Sequence, residues 1–287
     1  MARLVLLLGL VAGQFPHQVS LRRVSTGSHF CGGSIISSEW IVSAAHCMFA
    51  GDFYVVAGTT KLNSGGRIHT VVEYKYDDQY DSSNIVYDYA VVRVTPPFEF
   101  DSLVQPIKLG TSDPTSMECL ASGWGRTSQT NNQLPNDLQF VELNALSDAD
   151  CRNMFGGYYP PYEDEAHLCT QTQGASTCNS SLIASNQSNP IQSDLLQPNP
   201  SFPINPTQSS LIASNKSNLI SSYRVQGDSG GPLACMNNGV PELYGITSFG
   251  FSSGGTDCIW TLPTGWADAA SSYGRNWINS NCNRCLD

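Results

Sequence analysis

Short runs of β-branched and aromatic residues alternate with clusters of Gly, Pro, Asn and Asp along most of the chain. Such runs, bounded by turn-forming residues, are typical of antiparallel strands. The clearest predicted strands are 18–21, 40–43, 53–57, 69–74, 90–94, 139–143 and 243–248. Strands repeated at this spacing predict an all-β protein built from sandwiches or barrels. Prolines 96, 97 and 106 suggest a connector between two halves.

The two ends of the chain depart from this alternation. Residues 1–13 combine an Arg, a short apolar run and small residues, which predicts a signal peptide. A buried first strand or a wrongly joined exon are the alternatives. Near the other end, Tyr273, Trp277 and Ile278 recur at helical spacing, which predicts a short C-terminal helix over about 265–280. Residues 282–287 are left as a tail.

A long polar segment, 180–226, interrupts the pattern. It is rich in Ser, Asn, Gln and Pro, and SSLIASNQSN at 180–189 returns as SSLIASNKSN at 209–218. This composition buries little apolar surface, so disorder is predicted. Structureless loops of this length are uncommon inside compact domains. We therefore interpret the segment as a translated intron or similar late insertion, with a genuine surface excursion as the alternative.

Composition restricts the possible partners and the compartment. The chain has 287 residues, 13% charged residues and a net charge of −10, without a basic stripe, so nucleic acid is not expected as a partner. It has no run of 18 apolar residues, so no membrane span is expected. Its ten cysteines include one C-x-x-C pair, without a second pair to complete a zinc site. Disulfides, secretion into an extracellular compartment and the absence of any metal or other cofactor are therefore predicted.

One short sequence has the features of a nucleophile site. Residues 227–232 read Gly-Asp-Ser-Gly-Gly-Pro, which places Ser229 in a Gly-rich turn. A serine hydroxyl needs a base to take its proton and N–H donors for the developing oxyanion. Glycines permit a sharp turn that exposes backbone N–H groups. Taken alone, the motif also fits an ordinary turn or the nucleophile elbow of an α/β-hydrolase.

The order of residues along the chain separates these alternatives. An α/β-hydrolase needs its His after the Ser, but all five histidines precede Ser229. The subtilisin order needs an Asp before the His, and the chain has none before His46. The order His, Asp, Ser remains, with His46 and Asp88 as the favoured partners and His69 and His167 as alternatives to His46.

Five motifs, in the same order as in one known family, make the similarity specific. They are CGGS at 31–34, AAHC at 44–47, DYAVV at 88–92, GWG at 123–125 and GDSGGPL at 227–233. With these motifs the chain resembles the chymotrypsin-like serine peptidases over roughly 11–179 and 227–281. The resemblance implies two antiparallel six-stranded β-barrels, about 14–105 and 106–264, with the active site between them and a short C-terminal helix. It implies a secreted, monomeric endopeptidase that acts on proteins or peptides and is open to protein inhibitors.

The resemblance also assigns roles to individual residues. Ser229 attacks the scissile carbonyl, His46 transfers the proton, and Asp88 orients His46 and stabilises the imidazolium. The N–H groups of Gly227 and Ser229 form the oxyanion hole. The family's disulfides correspond to the pairs Cys31–Cys47, Cys119–Cys235, Cys151–Cys169 and Cys178–Cys258. Cys282 and Cys285 fall outside this pattern and could pair with each other or remain free.

The resemblance assigns a substrate pocket as well. The residues that correspond to its floor and walls are Ser176, Ser248, Gly250 and Thr264. Because Ser176 is not a carboxylate, a trypsin-like preference for Arg or Lys is not expected. An uncharged aromatic or medium aliphatic side chain is predicted at P1, the substrate residue that precedes the scissile bond.

Two departures from the family concern activation. In the family, a freed N-terminal amine pairs with the Asp before the active serine, here Asp228. Residues 4 and 5 occupy the place of the new N-terminus, but Leu6 and Leu7 replace the two glycines expected after it. The 180–226 segment also lies directly before the Ser229 turn. The alternative function is therefore a catalytically impaired homologue that acts as a binding or regulatory module.

Overall fold

The computed structural model describes residues 13–115, 117–126, 133–156, 161–171, 220–223, 227–253, 257–258 and 263–286. For 220–223, 251–253 and 257–258 only the backbone is described. Residues 1–12, Ser176, Cys178 and most of the 180–226 segment therefore lie outside the described residues. In the described ranges, no helix is long and apolar enough to cross a membrane.

The first half of the chain forms a closed antiparallel barrel. Its strands follow one another in the order β1-β2-β3-β6-β5-β4 around the barrel. A 3₁₀ helix, Ala45–Phe49, connects β3 to β4. The strands are β1 Gln18–Arg23, β2 His29–Ile35, β3 Trp40–Ser43, β4 Phe53–Ala57, β5 Arg67–Tyr76 and β6 Ala90–Thr95.

The second half forms another barrel of six antiparallel strands. Its elements are β7 Lys108–Leu109, β8 Glu118–Gly123, β9 Gln139–Ala145, α1 Asp148–Phe155, β10 His167–Gln171, β11 Ile220–Tyr223, β12 Pro232–Asn237, β13 Val240–Ser253, β14 Asp257–Cys258, β15 Thr264–Asp268 and α2 Ser272–Asn281. The order β13-β12-β8-β9-β10-β15 closes through pairing of β13 with β15. The short strands β7, β11 and β14 add to β13. The predicted fold class, two six-stranded barrels with a C-terminal helix, is confirmed.

A buried tyrosine and the C-terminal helix join the two barrels. The Tyr89 hydroxyl, next to β6 of the first barrel, donates to the Asp268 carbonyl of the second barrel at 3.0 Å. Its ring stacks on Trp277 of α2, with 6.1 Å between centroids. Ile278 and Cys282 of the same C-terminal region are completely buried in the apolar cluster of the first barrel. The core of the first barrel is therefore completed by residues at the far end of the chain.

The C-terminal helix begins later than the sequence pattern predicts. Residues 264–268 are not helical but form β15, which pairs with both β10 and β13. Trp266 is fully buried in the second barrel, where its indole N–H donates to Thr170 Oγ1. The Asp268 side chain then accepts the backbone N–H groups of residues 270 and 271 in the turn that follows β15. Burial of Trp266 in the barrel thus overrides the helical spacing, and α2 starts only after Ser271 caps it.

Four residues of the 180–226 segment are ordered as strand β11, whereas disorder is predicted for the whole segment. Their backbone pairs with Gly250 to Ser253 at the end of β13. Backbone hydrogen bonds form whatever the side chains are, so a low apolar content does not prevent a strand at an unpaired edge. The rest of the segment, 180–219 and 224–226, for which disorder is also predicted, lies outside the described residues.

The structure contains four disulfides within its described residues. Three of them, Cys31–Cys47, Cys119–Cys235 and Cys151–Cys169, are pairs implied by the family resemblance. The fourth joins Cys282 to Cys285 just after α2, which answers the question left open by the sequence. The Cys178–Cys258 pair lies outside the described residues.

The observed start of α2 predicts the effect of a capping substitution. The Ser271 Oγ accepts the Gly274 N–H at 3.0 Å, so Ser271→Ala is expected to lower the free energy of unfolding by about 1 kcal/mol. Ser280→Ala, at an exposed position inside α2, is the control and should be neutral or slightly stabilising. Urea denaturation would measure both. A helix starting at 265 would place Ser271 in its interior, and Ala would then stabilise it.

Candidate active site

Two adjacent strands of the first barrel bring His46 and Asp88 together. β3 leads into the 3₁₀ helix that carries His46, and Asp88 lies two residues before β6. The register pairs Ser43, the last residue of β3, with Ala90, the first residue of β6. The segment after β3, which carries His46, and the segment before β6, which carries Asp88, therefore meet at one end of the barrel. His46 donates twice to the carboxylate, from its backbone N–H at 2.9 Å and from Nδ1 at 2.7 Å. Both side chains are buried.

The contact with Asp88 determines which nitrogen of His46 can act as a base. A carboxylate only accepts hydrogen bonds, so Nδ1 carries the proton in the neutral ring. Nε2 is then left as a proton acceptor. It is buried and has no hydrogen-bond partner among the described residues. The imidazole is thus held in the orientation and tautomer that a general base requires.

A third donor reaches Asp88 from the second barrel. Ser248 Oγ donates to Asp88 Oδ2 at 2.6 Å. Burial alone would raise the pKa of Asp88, but the charge interaction with His46 and the hydrogen bonds from His46 and Ser248 outweigh burial and hold that pKa below its usual value. Asp88 is therefore ionised at neutral pH. The family resemblance assigns Ser248 only to a pocket wall, and nothing in its local sequence indicates this contact.

The turn that carries Ser229 lies between the two barrels. Its residues 227–230 are all buried. The Ser229 carbonyl accepts the N–H of Gly32 in β2, and the Gly230 N–H donates to Thr247 in β13. Gly230 has a φ of +77°, and a Cβ there would lie 2.2 Å from Ser43 Oγ. The turn that carries Ser229 therefore packs tightly against the segment that leads to His46.

A buried histidine supports the start of this turn. His29 Nε2 lies 2.7 Å from the carbonyl oxygen of Gly227, which has a φ of +98°. The carbonyl can only accept, so Nε2 carries the proton, and Nδ1 accepts from Ser20 Oγ at 2.8 Å. Burial lowers the pKa of His29 to about 4, so the ring stays neutral. The motifs of the sequence do not indicate this contact. The one feature that could have pointed to His29 is its position two residues before the CGGS motif.

Asp228, beside the serine, is buried with little to offset its charge. Its Oδ1 accepts the Gly125 N–H at 2.7 Å. Gly123 and Gly125 leave room for the carboxyl, because a Cβ at either would lie within about 2 Å of its oxygens. In the described part of the chain, no cation forms an ion pair with Asp228. Burial raises the pKa of Asp228 to about 7.

The other candidate histidines contact backbone carbonyls. His69 Nδ1 lies 2.6 Å from the Pro96 oxygen, and His167 Nε2 lies 2.9 Å from the Ile85 oxygen. Neither contacts a carboxylate of the described residues. His46 is also close to Cys31 and Cys47, but their sulfurs form a disulfide and are not available as metal ligands.

Part of the expected substrate pocket can be located. Phe249 in β13 pairs with Gly265 in β15, and Gly250 and Thr264 each lie one residue beyond that pair. A Cβ at Gly265 would lie 2.3 Å from the Phe249 ring. Thr264 is buried. The expected wall residues therefore lie close together on adjacent strands, while the expected floor residue Ser176 lies outside the described residues.

Comparison with known proteins agrees with this geometry. Residues 10–181 and 202–265 match the family model described as Trypsin. The chain is 31% identical to trypsin alpha of Drosophila melanogaster over 274 residues, 94% of this chain and 83% of that protein. It is 30% identical to trypsin alpha of Drosophila erecta with the same coverage. It is 33% identical to trypsin epsilon of Drosophila erecta over 267 residues, 92% of this chain and 81% of that protein.

The buried carboxyl of Asp228 predicts a pH-dependent stability. Its folded-state pKa, about 7, lies above its usual 3.8, so its contribution to stability is fully present below 3.8 and is lost as pH rises from there to 7. The loss approaches about 1.4 kcal/mol for each pH unit in this window and levels off above pH 7, where the carboxyl is ionised in both states. Asp228→Asn should remove this component, so the stability of the variant should fall less, or rise more, between pH 4 and pH 7.

Urea denaturation at pH 4, 5, 6 and 7 would measure the difference. Asp137→Asn, at an exposed carboxyl paired with Lys61, is the control and should keep the dependence of the parent protein. Equal pH dependence in the parent and in Asp228→Asn would mean that a cation already compensates Asp228.

Proposed function

Since the chain belongs to the trypsin family and is a serine endopeptidase, we propose that Ser229, His46 and Asp88 are the residues that carry out its reaction. The observation that supports this most directly is the double hydrogen bond between His46 and Asp88, which leaves Nε2 as a base. The Ser229 turn packs against the same segment of β3. These residue types, in this arrangement, are suited to acyl transfer.

The reaction proceeds in two proton-balanced halves. His46 Nε2 takes the proton of the Ser229 hydroxyl as its oxygen attacks the peptide carbonyl, and Asp88 stabilises the imidazolium. The tetrahedral intermediate collapses, the C–N bond breaks, and His46 returns the proton to the leaving amine. Water then repeats the sequence on the acyl-enzyme, which releases the acid and restores Ser229.

The oxyanion of each intermediate is bound by the N–H groups of Gly227 and Ser229 in this proposal. Such a donor typically contributes ~3–4 kcal/mol to the transition state. The hydrogen bond from His29 to the Gly227 carbonyl supports this role, because it fixes the peptide that follows Gly227. Because the His29 ring is neutral, this hydrogen bond is formed without burying a charge at the site.

The P1 preference is proposed to be uncharged, aromatic or medium aliphatic. This rests on Ser176 at the floor position, where a carboxylate would be needed for a cationic side chain, and on Thr264 in the wall. A preference for Arg or Lys is the alternative, since the similar relatives are named trypsins.

Peptide substrates that differ only at P1 test this preference. We expect kcat/KM for Phe or Leu to exceed that for Arg by about tenfold or more, because an uncompensated cation in an uncharged pocket loses its hydration. The Ser176→Asp variant should reverse the order. A higher kcat/KM for Arg with the unmodified chain would contradict the proposal.

A catalytically impaired homologue is the second candidate. The observations that favour it are the uncompensated carboxyl of Asp228 and the 47-residue segment directly before Gly227. In the family pattern, a freed N-terminal amine would supply the missing cation. We propose that Asp228 accepts such an amine in the active form, and that without it the oxyanion hole is poorly formed.

A fluorophosphonate probe separates the two candidates. We expect the full chain to be labelled on one peptide, the one containing Ser229, because the reagent reacts only with an activated serine. Ser229→Ala should abolish labelling, and Ser248→Ala should slow it by about tenfold through loss of one hydrogen bond to Asp88. Variants with and without residues 180–226 should be compared. Failure of both to react would favour the impaired homologue.

Secretion into an extracellular compartment is proposed on the basis of the disulfides and the family. Protein and peptide substrates follow from the family. A monomer, open to protein inhibitors and without nucleic-acid or membrane partners, is consistent with the acidic composition.

A further inference from the structure

A buried histidine of the second barrel, His167, contacts the loop that leads to Asp88. It lies at the start of β10 and is 1% exposed. Its Nδ1 accepts the Glu163 N–H at 3.1 Å, and its Nε2 lies 2.9 Å from the Ile85 carbonyl oxygen. Because an N–H can only donate and a carbonyl can only accept, the ring must carry its proton on Nε2. Both bonds therefore require one neutral tautomer.

The loop that His167 contacts is conformationally strained. Ile85 and Tyr87 have φ values of 53° and 55°, in the left-handed region that side chains other than Gly rarely adopt. Such residues persist only where surrounding contacts hold them. Within the loop, Ile85 donates to the Asp81 carbonyl. Across the barrel junction, the bond from His167 holds the same residue, three positions before Asp88.

The His167 ring also packs against the strand that carries Ser248, the second-barrel residue that donates to Asp88. Its centroid lies 5.5 Å from that of Phe249, edge to face, and 5.7 Å from that of Tyr162. Phe249 directly follows Ser248, whose hydroxyl donates to Asp88. One side chain therefore contacts both segments that position the carboxylate.

We propose that His167 is a positioning residue: its neutral imidazole fixes the loop before Asp88 through the Nε2 hydrogen bond and, through ring packing, the strand that carries Ser248. The inference rests on the proposed role of Asp88 in orienting His46. His167 itself contacts no reacting atom.

Protonation would break the Nδ1 bond, since a protonated Nδ1 faces another donor, the Glu163 N–H. The charged groups around the ring are carboxylates: Glu163 and Asp88, whose charges act on it, Asp148 beyond the Tyr162 hydroxyl, and Asp268 at the end of β15.

Burial lowers the pKa of His167 below 6.5 and outweighs the Ile85 hydrogen bond and the charges of Glu163 and Asp88, which favour the protonated ring. Both bonds are therefore intact at neutral pH. On acidification the Nδ1 bond is lost, whereas Nε2–H still donates to Ile85.

Hydrogen exchange in the full-length protein tests the positioning role without relying on activity. The variants are His167→Leu, which removes both bonds, and His167→Gln, whose side-chain amide can still donate to Ile85 but cannot titrate. We expect Leu to speed exchange of the 81–88 amides by about tenfold, the effect of losing one hydrogen bond. Gln should restore most of the protection.

The same variants give different pH profiles. In the parent protein, exchange of the Glu163 amide should rise between pH 7 and pH 5 after correction for intrinsic rates, and exchange of 81–88 should not, because Nε2–H still donates to Ile85. His167→Gln, which does not titrate, should remove the rise at Glu163. In peptidase assays at pH 7, Leu should lower kcat by about tenfold or more with little change in KM, because orientation of the base is affected rather than binding. Gln should stay within about threefold of the parent.

His69→Leu is the matched control. His69 is equally buried and also contacts a backbone carbonyl, that of Pro96, but entirely within the first barrel. It should leave exchange of 81–88 unchanged. Unchanged exchange in His167→Leu, or equal loss in the Leu and Gln variants, would overturn the proposal. Altered exchange as expected, in a parent protein that does not label on Ser229, would instead reject the proposed function and leave the structural role of His167 standing.

Discussion

The buried carboxylate of Asp88 is the point at which the two barrels depend on each other. An ionised group removed from water is tolerated only when several donors compensate it. Here two bonds come from His46 in the first barrel and one from Ser248 in the second. The next residue, Tyr89, anchors the same segment to second-barrel carbonyls. Neither barrel alone can bury this charge, so the site forms only when both are docked.

Asp228 shows how differently the same side chain behaves in the same protein. Both carboxyls are completely buried, but Asp228 receives one hydrogen bond, from Gly125, and no compensating cation within the described residues. The pKa of Asp88 is lowered and that of Asp228 is raised. The number and charge of the donors, rather than the depth of burial, thus decide which carboxyl is ionised. Asp88 is therefore ionised at neutral pH, whereas ionisation of Asp228 would need a compensating cation.

The sequence predicts the fold class because strands such as β3 and β6 are built from β-branched residues with clear ends. It does not predict where α2 begins, because the helical spacing over 273–278 does not show that Trp266, earlier in the chain, is buried in a barrel strand. The motif resemblance assigns the three residues that are proposed to react. It cannot find the hydrogen bonds of Ser248 and His29, because their partners lie 160 and 198 residues away in the chain and depend on tertiary packing.

The position of α2 has a consequence for how the protein is made. Ile278 and Cys282 lie in the apolar cluster that contains most of the first barrel's core, and Tyr273 and Trp277 pack against it, although that barrel is synthesised well before them. Chains emerge from the ribosome far more slowly than small domains can fold. The first barrel must therefore wait, with part of its apolar interior uncovered, until the C-terminal helix has left the ribosome. Its final packing is a post-translational event, and the nascent chain needs protection until then.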